Sequence, residues 1–200
     1  MHPYTCWVFN RNVDGLKSDP SPSIFGALPC STQTRESGVR VVGSLATYTF
    51  IPRPCHGISS NCSVFHQNQV RFCVKTDLSM PNYTSVTRDD GSNIALVEWG
   101  PEPSVEIRGI VAKRPASKFL RHSSNERLRF WIMEVDGVDY IWIPNQNDGY
   151  TLYKAGENLM FAKTTSKCTA VVLHVVEHLV QSRLLPACLV ATILMHRTTS

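Results

Sequence analysis

One stretch limits what this 200-residue chain can fold into: Leu184 to Met195, LLPACLVATILM. It carries no charge, and at helical spacing its apolar residues fall on every side. A helix that is apolar all round is surrounded by protein or by lipid. A bilayer span needs about 20 apolar residues, so this run is too short to cross. The segment predicts a buried helix over about 183–196, and the preceding chain has to wrap it. Pro186 falls in the first turn, where its missing N–H has no intrahelical partner. His196 and Arg197 fall at the far end, where positive charge suits the helix dipole. Roughly 14 residues at 1.5 Å each give about 20 Å, which about six strand residues also span. Such a helix can thread a barrel once.

The chain from about Ala46 onward supplies the wrapping. Short β-prone runs alternate with turn signals, the pattern of a barrel or sandwich. The expected strands are Ala46–Ile51, Val64–His66, Gln69–Thr76, Tyr83–Arg88, Asn93–Trp99, Ser104–Ile110, Leu128–Val135, Val138–Ile143, Thr151–Lys154, Leu159–Lys163 and Thr169–Val176. Asp90-Gly91, Gly100-Pro101, Asp136-Gly137, Asp148-Gly149 and Ala155-Gly156 lie between them. Glycine tolerates the positive φ that tight turns demand. No long amphipathic helix interrupts the series, so the strands are expected to be antiparallel neighbours.

The clearest hairpin is Leu128 to Ile143, LRFWIMEVDGVDYIWI. A two-residue Asp136-Gly137 turn sets Trp131 opposite Trp142, Met133 opposite Tyr140 and Val135 opposite Val138. That face is apolar throughout and is expected to meet the helix. The other face mixes Phe130, Ile132 and Ile141 with Glu134 and Asp139.

Composition removes several classes. A hydrophobic fraction of 42% is enough for a core, and a net charge of +4 is mild. Nucleic-acid binders are far more basic, and the hairpin aromatics sit among apolar neighbours that suit core packing better than base stacking. The seven cysteines, Cys6, Cys30, Cys55, Cys62, Cys73, Cys168 and Cys188, are odd in number and irregular in spacing, so no disulfide framework is expected. Cys73 and Cys188 stand in apolar runs and read as small hydrophobes. A reducing, intracellular setting follows, cytoplasmic and at most peripheral at membranes. MHPYTCWVFNRNVDG lacks the basic-then-apolar order of a secretory signal, so Asn61-Cys62-Ser63 and Asn82-Tyr83-Thr84 carry little weight as glycosylation acceptors. Residues 1–45 are rich in Ser, Pro, Gly and Thr without a sustained period. They read as a poorly ordered extension, with Val39–Val42 as a short strand at most.

The stretch from about Tyr48 to Arg197 resembles a basidiomycete family of uncharacterised proteins that share a domain of unknown function. The matching pieces are YTFIPRP, VRFCVKTD, IALVEW, IRGIVAKRPASKFL, RFWIMEVDGVDYIW and the apolar segment ending in His196-Arg197. That family is similar in fold to the tubby carboxy-terminal domain, the LURP-one proteins and the phospholipid scramblases. The resemblance implies a closed antiparallel β-barrel around a central hydrophobic carboxy-terminal helix, filling 46–200. It implies no activity and no catalytic residue. Pro186 and the first 45 or so residues depart from the family pattern.

Three constellations could carry chemistry. His174-Val-Val-Glu177-His178 matches H-x-x-E-H, an inverted zinc-protease signature. On a helix the two histidines share a face and can hold zinc with Glu177 as base. No Asp or Glu follows residue 177, however, and the flanking AVVL reads as a strand. Cys55, His56, Cys62 and His66 bring four soft ligands into twelve residues, but their spacing fits no standard zinc site. Arg108, Lys113, Arg114, Lys118, Arg121, Arg127 and Arg129 are opposed only by Glu126, the one strong charge asymmetry in the chain. Such a run either solvates a connection between strands or holds anionic headgroups, each cation adding about 1 kcal/mol near a charged surface. Tubby domains bind phosphoinositides, a parallel at the level of fold only.

No G-x-S-x-G elbow, G-x-G-x-x-G or P-loop is present. The expectation is a non-enzymatic binding module without cofactor. Its ligand is a phospholipid headgroup or another anion, held by the basic residues of 108–129. A protein-interaction or structural module is the alternative, and a zinc hydrolase using His174, Glu177 and His178 comes last.

Overall fold

The computed structural model describes residues 43–54, 57–123, 129–146, 148–167 and 169–197. They belong to the unit Arg40–Ser200, so the expected extension lies outside them up to residue 42. The first strand begins at Leu45, one residue ahead of the expected domain start.

Residues of alternating polarity make the sheet. In β1 (Leu45–Pro52), Ala46, Tyr48 and Phe50 are buried while Leu45, Thr47 and Ile51 face water. The same period of two runs through β2 (Asn61–His66), β3 (Gln69–Asp77), β4 (Met80–Arg88), β6 (Ser104–Ile107), β9 (Trp131–Val135) and β12 (Met160–Lys167). It is interrupted in β5 (Asn93–Glu98), β10 (Val138–Asn145), β11 (Gly149–Lys154) and β13 (Ala170–Val176), and does not show in the short β7 (Val111–Pro115) and β8 (Leu120–His122). All neighbours are antiparallel. They form one thirteen-stranded sheet in the order β7-β6-β5-β4-β3-β2-β1-β13-β12-β11-β10-β9-β8. β1 and β13 therefore pair at its centre; β1 to β7 run outward in chain order to one edge, and β13 to β8 in reverse chain order to the other.

The β9–β10 hairpin has the expected register: Trp131 opposes Trp142, Met133 opposes Tyr140 and Val135 opposes Val138. Asp136 (φ 51°) and Gly137 (φ 75°) both take positive φ, as a two-residue turn matched to strand twist requires. Met133, Val135 and Trp142 are buried.

The apolar segment is a helix, Leu184–Arg197, shifted by one residue from the expected bounds. Leu189, Val190 and Ile193 have no exposed surface, and each such side chain contributes about 1.5–3 kcal/mol relative to exposure. The helix comes close to β5, β13 and β9, so strands from both halves of the sheet flank it. Its ends are pinned. The Ser182 hydroxyl accepts the Leu184 N–H at 3.1 Å, and Arg183 Nη1 donates to Asp136 at 2.8 Å. At the other end the Arg197 guanidinium lies 3.8 Å from the Trp99 ring centroid, and the Trp99 indole N–H donates to Thr84 at 2.7 Å. Among the described residues no helix is long and apolar enough to cross a membrane.

The expected closed barrel is corrected in one respect: the ladder is open. β7 pairs with β6 and β8 with β9, but not with each other. The chain itself crosses the gap through α1 (Ala116–Phe119), a single helical turn, the later helix being α2. Pro115 explains the break, since it has no N–H to give a ladder and suits a helix entry. Two strands and this turn occupy a stretch expected as a plain connection, and the strand expected over Ser104–Ile110 stops at Ile107.

Candidate anion-binding surface

The seam between β7 and β8 is held by side chains. Phe119 of α1 is fully buried and Leu120 nearly so. Arg114, from β7, reaches across to β9. Its Nη2 donates to the Glu134 carbonyl at 3.2 Å, its Nη1 lies 3.8 Å from the Glu134 carboxylate, and its guanidinium sits 5.9 Å from the Phe119 ring. A charged donor on a strand carbonyl thus ties β7 to β9 across the gap. The Arg114 Nε is buried without a hydrogen bond, so the clasp leaves one donor unused.

Of the basic residues expected to bind a ligand, Lys113, Arg114, Lys118 and Arg121 lie along this bridge, and several are already engaged. Lys113 Nζ contacts Glu98 at 2.7 Å, and Tyr83 donates to the same carboxylate at 2.8 Å. The Lys113 contact, then the Tyr83 bond, hold the Glu98 carboxyl below its ordinary range, and Glu98 in turn raises Lys113. Arg121 forks onto Asp139 at 3.2 and 3.3 Å. Arg108, Lys118 and Arg129 are exposed and make no ion pair among the described residues. Arg127 lies outside those residues.

Position separates them further. Antiparallel neighbours alternate in direction, so the turns at Gln67-Asn68, 89–92, 108–110 and 136–137 share one end of the sheet. Arg108 belongs to that end, and its N–H bonds the Ile94 carbonyl at the start of β5. Arg129 precedes β9 and belongs to the opposite end. The sequence shows the cluster of charges but not its division, because acidic neighbours such as Glu98 and Asp139 come from distant strands.

Among the described residues the metal readings find no geometry. His174 is on β13, not on a helix, and Glu177 and His178 follow in a 3₁₀ turn. His174 Nδ1 lies 3.1 Å from the Thr47 hydroxyl, and Ser44 donates to the Glu177 carboxylate. Burial, then Lys163 and Lys167, push the His174 pKa down. Cys62 is buried in β2 with its thiol pushed up to about 12, chiefly by that burial. His66 stacks on Tyr48 at 4.8 Å and bonds the Thr47 carbonyl, while Cys55 and His56 lie outside the described residues. Glu177, His178 and His66 do line one groove of about 570 Å³ beside Ser44 and Gln181. Among the described residues no three His, Cys, Asp or Glu side chains come together as metal ligands.

No family model matches the chain, and no curated protein matches it. Among solved structures, the X-ray structure of a protein from Arabidopsis thaliana aligns at 10% identity over 76% of this chain and 91% of that one, with a TM-score of 0.39.

Proposed function

We propose that the chain is a non-enzymatic module that binds the phosphate-bearing headgroup of an anionic phospholipid along the bridge from β7 to β9. The observation that carries this reading is the pair of exposed cations Lys118, on the turn between the edge strands β7 and β8, and Arg129, two residues ahead of β9, neither with an ion pair among the described residues. Lys113 and Arg121 are tied to Glu98 and Asp139 and serve it less. Arg114 holds the seam, and Arg108 belongs to the far end. The basidiomycete resemblance, with its tubby-like relatives, points the same way at the level of fold.

Flotation with phosphatidylcholine vesicles, with and without phosphatidylserine, tests the proposal. The expected result is binding only to the anionic vesicles, weakened about tenfold or more by Lys118→Glu with Arg129→Glu, as two cations at about 1 kcal/mol each require. Unchanged binding in the double variant overturns it. A protein-binding module is the second reading. It is favoured by the unpaired strand edges beside α1, which are templates for an added strand. Absence of any vesicle binding favours that reading.

A further inference from the structure

The β3–β4 hairpin ends in a tip that works against folding economy. Leu78 is 96% exposed and Met80 53% exposed, and Pro81 beside them is exposed too. The turn is held firmly: Asp77 Oδ1 accepts the Ser79 N–H at 2.8 Å and the Ser79 hydroxyl at 2.7 Å. Those bonds keep the Asp77 carboxyl ionised to lower pH than usual. A fixed turn thus presents apolar side chains that contribute nothing to the core. The tip is convex, so its side chains are buried only by a concave partner or by a medium that deforms around them.

The surroundings favour the deformable medium. Lys75, two residues before Asp77, stands opposite Asn61, and the Arg53 N–H bonds the Asn61 carbonyl at 3.0 Å. Phe50 opposes Val171, so this end of β1 lies beside the turn that joins β12 to β13. Lys167 ends β12 there, opposite Ala170. Arg53, Lys75 and Lys167 are exposed and make no ion pair among the described residues. The turns after β1, β3 and β12 therefore combine an apolar tip with cations along one side of it, opposed by Asp77 and by the exposed Glu102 of the β5–β6 turn at the same end.

We infer that this end of the sheet docks on an anionic bilayer, with Leu78 and Met80 entering the interface and Arg53, Lys75 and Lys167 meeting headgroups. The inference rests on the membrane reading above but names a different set of residues. Both are exposed and outside the core, so the double variant Leu78→Asp, Met80→Asp keeps its fold, which circular dichroism checks. Its partitioning onto phosphatidylcholine–phosphatidylserine vesicles is expected to fall about a hundredfold, roughly tenfold per buried apolar side chain. Lys75→Glu with Lys167→Glu is expected to weaken binding to those vesicles as well.

Wild-type partitioning by the tip variant overturns the inference, and the membrane reading then survives if Lys118→Glu with Arg129→Glu still weakens binding. Conversely, loss through the tip variant with no effect of Lys118→Glu and Arg129→Glu supports the inference and removes the bridge as the headgroup site. A wild-type chain that binds soluble inositol hexakisphosphate but no vesicle overturns the inference and keeps the anion site.

Discussion

The helix α2 and the bridge from β7 through α1 to β8 solve opposite problems. The helix is apolar on every face and is buried from Leu184 to Met195, with Pro186 partly exposed. Its position is set by the non-directional gain of removing hydrocarbon from water. The bridge is short, charged and interrupted by Pro115. It is held by one buried ring, Phe119, and by directional contacts of Arg114. A core of this kind tolerates many exchanges of similar volume, whereas a clasp depends on particular atoms.

The largest expected effect tests the helix. Ile193→Asp places a carboxylate where no water reaches, which costs several kcal/mol and is expected to abolish cooperative unfolding in urea. A folded Ile193→Asp protein would show that the helix is not enclosed. Phe119→Ala is expected to remove about 3–5 kcal/mol by opening a cavity, read as a lower urea midpoint.

Arg114→Gln sharpens the contrast at the seam. It is expected to remove about 1–2 kcal/mol, the range of a hydrogen bond to a charged group at a partly exposed site. Hydrogen exchange should then rise in β7 and β8 while β1 and β13 stay protected. Uniform acceleration would mean that the bridge does not move independently.

The smallest effect is pH dependence. Burial holds His174 and His196 below the ordinary value of 6.5, so the folded state resists protons that the unfolded chain accepts. Their contribution is fully present above about 6.5 and is lost as pH falls through the folded values. The urea midpoint should fall across that window, and His174→Gln should flatten part of the slope.

The hairpin and the helix were legible because each rests on a local period. A two-residue turn with Asp136-Gly137 sets every pair beyond it, and the observed pairs agree. The bridge was not legible. Val111–Pro115 and Leu120–His122 carry too few alternating residues to stand out from a solvated connection. Its charges looked free because Glu98, Glu134 and Asp139, which engage them, lie elsewhere in the chain. The exposed tip at Leu78 was equally invisible, since exposure is not a property of residue type.

By itself the sequence determined that Leu184–Met195 would form a buried helix and that antiparallel strands would pack against it. Hydrophobic pattern and turn chemistry act between near neighbours, and so can be read in order. Tertiary structure alone decided where the ladder stays open, which cations are neutralised and which apolar residues reach water. Those outcomes depend on which distant strands stand side by side, a choice made by the packing of the whole sheet around the helix.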